Sequence, residues 1–148
     1  MKILVADGVS EKGIEILSKE FEWEIRAKLP AEELLATIHE YDGLVVRSAS
    51  KVTKEVIEAA TNLKVIGRAG VGVDNIDIEA ATAKGIIVLN APEGNTIAAT
   101  EHTVAMMLSM ARNIPQAHSS VQNGEWKRNQ FVGVEMRGKT LGVIGLGR

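Results

Sequence analysis

An α/β fold built on a doubly wound, flavodoxin-like parallel sheet is predicted by three features of this 148-residue chain. First, short apolar runs alternate with segments whose apolar residues recur at helical spacing. That alternation implies parallel pairing and right-handed crossovers. Second, the runs are nearly continuous rather than alternating with polar residues, as in strands covered on both faces. Third, the final residues, Lys139-Thr140-Leu141-Gly142-Val143-Ile144-Gly145-Leu146-Gly147-Arg148, read as a further buried strand entering a tight glycine turn. They predict the start of a second, Rossmann-type unit.

Taken in order, Lys2 to Ala6 forms the first strand, and Ser10 caps a helix that turns Ile14, Leu17 and Phe21 toward the sheet. Trp23 and Ile25 mark the second strand. Pro30 suits the first helical position of a segment with Leu34, Leu35 and Ile38 inward. Asp42-Gly43 turns into the third strand, Leu44-Val45-Val46, which ends at Arg47-Ser48. Thr53 caps a short helix carrying Val56 and Ile57, and Lys64-Val65-Ile66 is the fourth strand. A glycine-rich loop, residues 67–75, follows it. Asp77 starts the next helix, Gly85 stops it, and the fifth strand runs from Ile86 to Leu89.

From Gly94 the character changes. Asn95 or Thr96 caps a long helix reaching about Arg112, and Pro115 restarts a helix that ends near Asn123-Gly124. The boundary falls near Pro92, giving a first domain over residues 1–93 and an incomplete second one over residues 94–148. An apolar strand at the end of the chain, with no helix to cover it, is read as the front part of a longer protein.

Composition excludes several classes. Apolar residues make up 45% and charged residues 24%, as in ordinary globular proteins. A net charge of −2 with mixed signs leaves no basic patch for nucleic acid. The absence of cysteine rules out a disulfide scaffold and a thiolate metal site. The N-terminal apolar run is too short for a signal peptide, and the segment 104–110 is far short of the ~20 residues that a membrane span needs. A soluble, cytoplasmic chain is the expectation.

The candidate binding residues lie at the carboxyl ends of the strands, where open α/β sheets hold their ligands. Arg47 and Arg68 each follow an apolar run, and a guanidinium there can grip a carboxylate or phosphate through paired hydrogen bonds. Equally, either arginine can form a surface ion pair with Asp42, Asp74 or Asp77. Gly67, Gly70 and Gly72 allow consecutive backbone N–H groups to face an anion, or simply make a tight connection. Asn95-Thr96 reads first as a helix cap, which leaves contact with a ligand at the hinge open. Gly145 and Gly147 supply the first two glycines of a dinucleotide fingerprint. His39, His102 and His118 lack metal-ligand spacing, and no nucleophile–base pair is visible. No metal site is expected. Met106, Met107 and Met110 read as core or interface filler, and Trp126 as a packing anchor or subunit contact.

Four stretches, read together, carry a resemblance: Val46-Arg47-Ser48-Ala49-Ser50-Lys51-Val52-Thr53, Ile66-Gly67-Arg68-Ala69-Gly70-Val71-Gly72-Val73-Asp74-Asn75, Asn90-Ala91-Pro92-Glu93-Gly94-Asn95-Thr96 and the segment from Gly138 to Arg148. In order and along the whole chain, they resemble the D-isomer-specific 2-hydroxyacid dehydrogenases, in particular members acting on 3-phosphoglycerate. The resemblance implies NAD-dependent oxidation of 3-phosphoglycerate to 3-phosphohydroxypyruvate, the first step of serine synthesis. It implies that Arg47, Ser48, Val71, Gly72 and Asn95 line the substrate cleft, where Arg68 is placed by its position after a strand, and that Val71, Gly145, Gly147 and Arg148 approach NAD. Some relatives have a threonine in place of Val71, and valine lacks that hydroxyl. A homodimer or higher homo-oligomer through the nucleotide-binding domain, including the long helix and the region to Trp126, is also implied. So is a catalytic histidine–glutamate–arginine set beyond Arg148, which leaves these 148 residues without turnover.

Three other readings compete with this one. A reductase of glyoxylate or hydroxypyruvate in the same family is the nearest, and the two arginines favour a phosphorylated substrate over it. A non-catalytic anion-binding or dimerisation module is the second. A phospho-receiver domain needs an aspartate after its third strand, where this chain has Arg47.

Overall fold

In the computed structural model, which describes residues 1–145 and Gly147, the chain separates into two compact units, Met1–Gly94 and Asn95–Arg148. The first contains five parallel strands: β1 (Lys2–Val5), β2 (Glu22–Ile25), β3 (Gly43–Val46), β4 (Val65–Arg68) and β5 (Ile87–Asn90). Their order is β2-β1-β3-β4-β5, the doubly wound arrangement that the apolar runs predict. Between them lie α1 (Glu11–Leu17), α2 (Ala31–Thr37), α3 (Lys54–Ala59) and α4 (Ile78–Ala83). The chain goes from β1 outward to β2 and returns past β1 to β3. The order therefore reverses between β1 and β3, and a ligand crevice belongs beyond their carboxyl ends.

Register sorts the sheet's side chains onto two faces. Leu4, Leu44, Ile66 and Val88 are mutual neighbours across the strands. They meet Leu34, Ile38, Val56, Ile57 and Ala81 in one apolar core. Complete burial of side chains such as Leu44 and Ile66 contributes about 1.5–3 kcal/mol each. On the other face Val45 lines a groove together with Gly13 and Leu17 of α1. Toward the β5 edge that face is open, and Ile87 and Leu89 are largely exposed.

Local chemistry explains the helix ends. The Ser10 hydroxyl accepts a hydrogen bond from the Gly13 N–H at 3.3 Å, and the Asp77 carboxylate one from the Ala80 N–H at 2.9 Å. Both satisfy donors that a first helical turn leaves unpaired. Gly85, with φ 73°, adopts the left-handed conformation that ends α4. Pro30 stands one position before α2 rather than at its first residue.

Several expectations need correction. Gly67 and Arg68 belong to β4, not to the loop, because they pair in register with Val45 and Val46; the loop begins at Ala69. Leu35 points outward while Leu34 and Ile38, four residues apart, are buried. Phe21 lies beyond the end of α1. In the second unit α5 (Thr96–Ala111) and α6 (Ile114–Gln122) are followed by a 3-10 turn at Arg128–Phe131. Met106 and Met110 are exposed there, which excludes the core reading for them and leaves the interface one, and Trp126 is exposed as well. Residues 141–145 form no strand, and Leu141, Val143 and Ile144 are exposed rather than buried. An extended segment gains ladder hydrogen bonds only beside another strand, and no described strand lies next to this one.

Candidate functional site

Four loops converge beyond the carboxyl ends of β1, β3, β4 and β5, and backbone hydrogen bonds stitch three of them together. The Ala69 N–H donates to the Val46 carbonyl at 2.8 Å, and the Ala91 N–H to the Gly70 carbonyl at 2.9 Å. Asn90 Nδ2 donates to the Val71 carbonyl at 2.7 Å. The loops after β3, β4 and β5 thus share one edge.

Arg47, immediately after β3, is exposed at this edge. Its Nη1 donates to the Gly8 carbonyl at 3.1 Å, and among the described residues it forms no ion pair. Of the three candidate carboxylates, Asp42 and Asp77 are engaged elsewhere. Asp42 accepts from the Lys2 backbone N–H and from Lys64 Nζ, at 2.9 and 2.8 Å. Asp77 caps α4, and Asp74 lies against Gly72. A guanidinium has five N–H donors in a fixed fork, so Arg47 retains the capacity to bind a carboxylate or phosphate through two of them.

Arg68 ends β4, with Val46 and Asn90 as its neighbours in register. Its guanidinium folds over Gly70, and its buried Nε has no hydrogen-bond partner. At Gly72 a β-carbon would stand only 2.7 Å from Asp74 Oδ1. Val71 between them is partly exposed.

Arg47, Ser48, Arg68, Val71 and Gly72 therefore share one edge of the first unit, but they do not all face one hollow. Arg47 borders an apolar groove of about 520 Å³ with Val9, Leu17, Val45 and Ala69. Ser48 borders a polar groove of about 620 Å³ with Lys51, Thr53, Asp74 and Asp77. Asn95 belongs to the second unit and occupies the N-cap position of α5, although its side chain makes no capping hydrogen bond. Gly145, in the same unit, has φ 87°, and among the described residues nothing lies within 4 Å of a β-carbon placed on Gly145 or Gly147. Arg148 lies outside the described residues. No group of three His, Cys, Asp or Glu among the described residues could hold a metal ion. Nor is any described helix long and apolar enough to cross a membrane.

Sequence reasoning did not single out Asp7, Ser50 or Asn75. Asp7, just past β1, is 4% exposed. Its Oδ2 accepts from the backbone N–H groups of Arg47 and Ser50, at 2.6 and 3.1 Å. Its Oδ1 accepts from the Ser50 hydroxyl at 3.0 Å. Asn75 Nδ2 donates to the carbonyls of Arg47 and Ser50, each at 2.7 Å. The one local signal was an aspartate directly after the apolar run Leu4-Val5-Ala6, since a carboxylate buried there must find donors.

One perturbed ionisable group, Glu55, borders the Ser48 groove and is lowered first by its hydrogen bond with Thr53. Tyr41, Glu24 and Asp42 lie away from this edge. Tyr41, ahead of β3, is pushed up to about 12 by burial and by its 2.6 Å hydrogen bond to Glu24 Oε2. The Glu24 carboxyl is held below its usual range by Tyr41 and then by Arg26. Asp42 is lowered by Lys64 and then by the Lys2 N–H. These groups tie the strands to one another.

Residues 3–140 match the family described as D-isomer specific 2-hydroxyacid dehydrogenase, catalytic domain. The chain is 57% identical to D-3-phosphoglycerate dehydrogenase of Archaeoglobus fulgidus and 60% identical to that of Methanocaldococcus jannaschii, over its whole length in both cases. It spans 28% of the length of each. The structure of NAD+-bound 3-phosphoglycerate dehydrogenase of Entamoeba histolytica superposes with a TM-score of 0.67 at 37% identity, covering 76% of this chain and 39% of that one.

Proposed function

The chain belongs to the D-isomer-specific 2-hydroxyacid dehydrogenases, and from that premise we propose that it supplies the substrate-binding part of an enzyme oxidising 3-phosphoglycerate to 3-phosphohydroxypyruvate with NAD, in serine biosynthesis. The observation that carries this reading is Arg47. Its exposed guanidinium stands at the sheet edge without a carboxylate partner among the described residues, in a chain whose relatives bear that enzyme's name.

In this reading residues 1–93 hold the substrate and residues 94–148 begin the nucleotide-binding domain. Arg47 and Arg68 grip the substrate's anionic groups, while Ser48, Val71 and Gly72 complete that edge of the first unit. Gly145, Gly147 and Arg148 would hold NAD. The positive φ of Gly145 fits a backbone that approaches a pyrophosphate closely. Bound NAD would supply the hydride acceptor. The hydroxyl proton passes to a base, which we place outside these 148 residues. The exposed Val104, Met106, Leu108 and Met110 of α5 support a homodimer contact through the second unit.

The test compares the purified 148-residue chain with the protein as its native gene encodes it. The short chain should form no NADH from 3-phosphoglycerate, whereas NADH formation by it would overturn the division of labour. The native protein should favour 3-phosphoglycerate over unphosphorylated glycerate by about tenfold or more in kcat/KM, because two cations bind a more highly charged substrate better. Preferential reduction of glyoxylate or hydroxypyruvate would establish the reductase reading instead.

A further inference from the structure

We propose that Asp7 is a positioning residue that holds the 47–50 loop in the shape from which Arg47 binds the substrate's anionic group; this rests on the reading of Arg47 given above. Four backbone groups bracket the loop, two at each end. The N–H groups of Arg47 and Ser50 both donate to the Asp7 carboxylate, and their carbonyls both accept from the Asn75 amide. The tip, Ser48 and Ala49, is exposed, while Asp7 and Ser50 beneath it are buried.

The arrangement costs a buried carboxylate, which is retained only where its donors are supplied. A turn joining β3 to α3 needs no such group. What the carboxylate adds is direction. It fixes the backbone nitrogen of Arg47, while Gly8, the next residue after Asp7, receives one arm of the guanidinium at 3.1 Å. The β1 end of the sheet thus aims both ends of the Arg47 residue. A guanidinium already oriented loses less freedom when it takes up a carboxylate or phosphate, so the expected effect is on substrate affinity.

The experiment is a double-mutant cycle in the protein as its native gene encodes it, reading the Kd of 3-phosphoglycerate by titration calorimetry. Asp7→Ala should weaken binding about tenfold, the scale expected when an orienting hydrogen-bond set is lost. Asp7→Asn removes the charge, keeps an acceptor for both N–H groups, and lets the Ser50 hydroxyl accept from the new amide. It should stay within about twofold of the parent. In an Arg47→Ala background, Asp7→Ala should add less than about a twofold loss, because nothing remains to be aimed. The inference is overturned if Asp7→Ala binds like the parent, if it costs the same with and without Arg47, or if Asp7→Asn is as damaging as Asp7→Ala. If Asp7→Ala does not fold, Ser50→Ala removes one of the three donors. It should weaken binding about threefold with Arg47 present and not at all without it, and equal losses would overturn the inference. An Arg47→Ala protein that binds 3-phosphoglycerate normally overturns the anion-grip reading itself, and the inference with it.

Discussion

The guanidinium of Arg68 lies across the α-carbon of Gly70, in the volume that a β-carbon there would need. An arginine at the end of β4 is thus packed onto the loop it introduces, with its Nε buried and unpartnered.

Gly70→Ala tests whether that pose matters. The obstructing atoms are the far end of a flexible side chain, so the arginine can swing away, and the stability loss should stay below about 1 kcal/mol. Affinity for 3-phosphoglycerate should fall by several-fold because Arg68 leaves the edge. A chemical melt together with a Kd measurement checks both, and an unchanged Kd would show that the pose is irrelevant to binding.

Gly43→Ala should behave in the opposite way. A β-carbon there would run into Ile3 Cδ1 and stand 3.3 Å from Val65 Cγ1, and Ile3 is itself only 5% exposed. The obstacle is packed between neighbouring strands and has little room to yield. A destabilisation of about 1–3 kcal/mol in urea unfolding is expected, with ligand contacts untouched.

Tyr41 predicts an alkaline limit. Its phenol is pushed from an ordinary value of 10 up to about 12, so between those values the unfolded chain has lost a proton that the folded one keeps. The resulting stability is fully present below pH 10 and is lost as pH rises through about 12. Tyr41→Phe should remove this dependence and cost about 1 kcal/mol near neutrality through the lost bond to Glu24. Denaturation midpoints measured across the alkaline range decide it; a parallel decline in both proteins would show another cause.

Asp42 predicts the acid side. Its pKa is lowered from 3.8, first by Lys64 and then by the Lys2 backbone N–H. Stability from this carboxylate is therefore present above its unfolded pKa and is lost as pH falls through the lower folded value. Asp42→Asn should be less stable than the parent at neutral pH, and the gap should narrow as the medium is acidified. A gap that widens in acid would contradict the assignment.

Ser10, Asp77 and Gly85 show what could be read in advance. A cap bond spans three residues, as from Gly13 to Ser10 or from Ala80 to Asp77, so a short stretch of chain contains all its parts. The strands were equally accessible, because runs such as Leu44-Val45-Val46 have no other economical place than a covered sheet. Where the reading failed, the deciding partner was distant. Gly67 and Arg68 look like loop residues until Val45 and Val46 are seen beside them. Leu141, Val143 and Ile144 have strand composition, yet no described strand lies alongside them. The proposed ion pairs of Arg47 failed for a related reason: Asp42 and Asp77 had nearer donors.

The sequence by itself determined the strand–helix alternation, the doubly wound class and the family, since these depend on spacing within single segments and on motifs that stay contiguous. Only the tertiary structure decided that Asp7 lies beneath the Arg47 loop, that Arg68 rests on Gly70, and that Arg47 and Ser48 border different grooves. The bonds from Asp7 join residues 40 and 43 positions apart, and a buried carboxylate takes whichever donors the folded sheet brings to it. No local pattern encodes that choice, because it is made by register and burial after the strands have assembled.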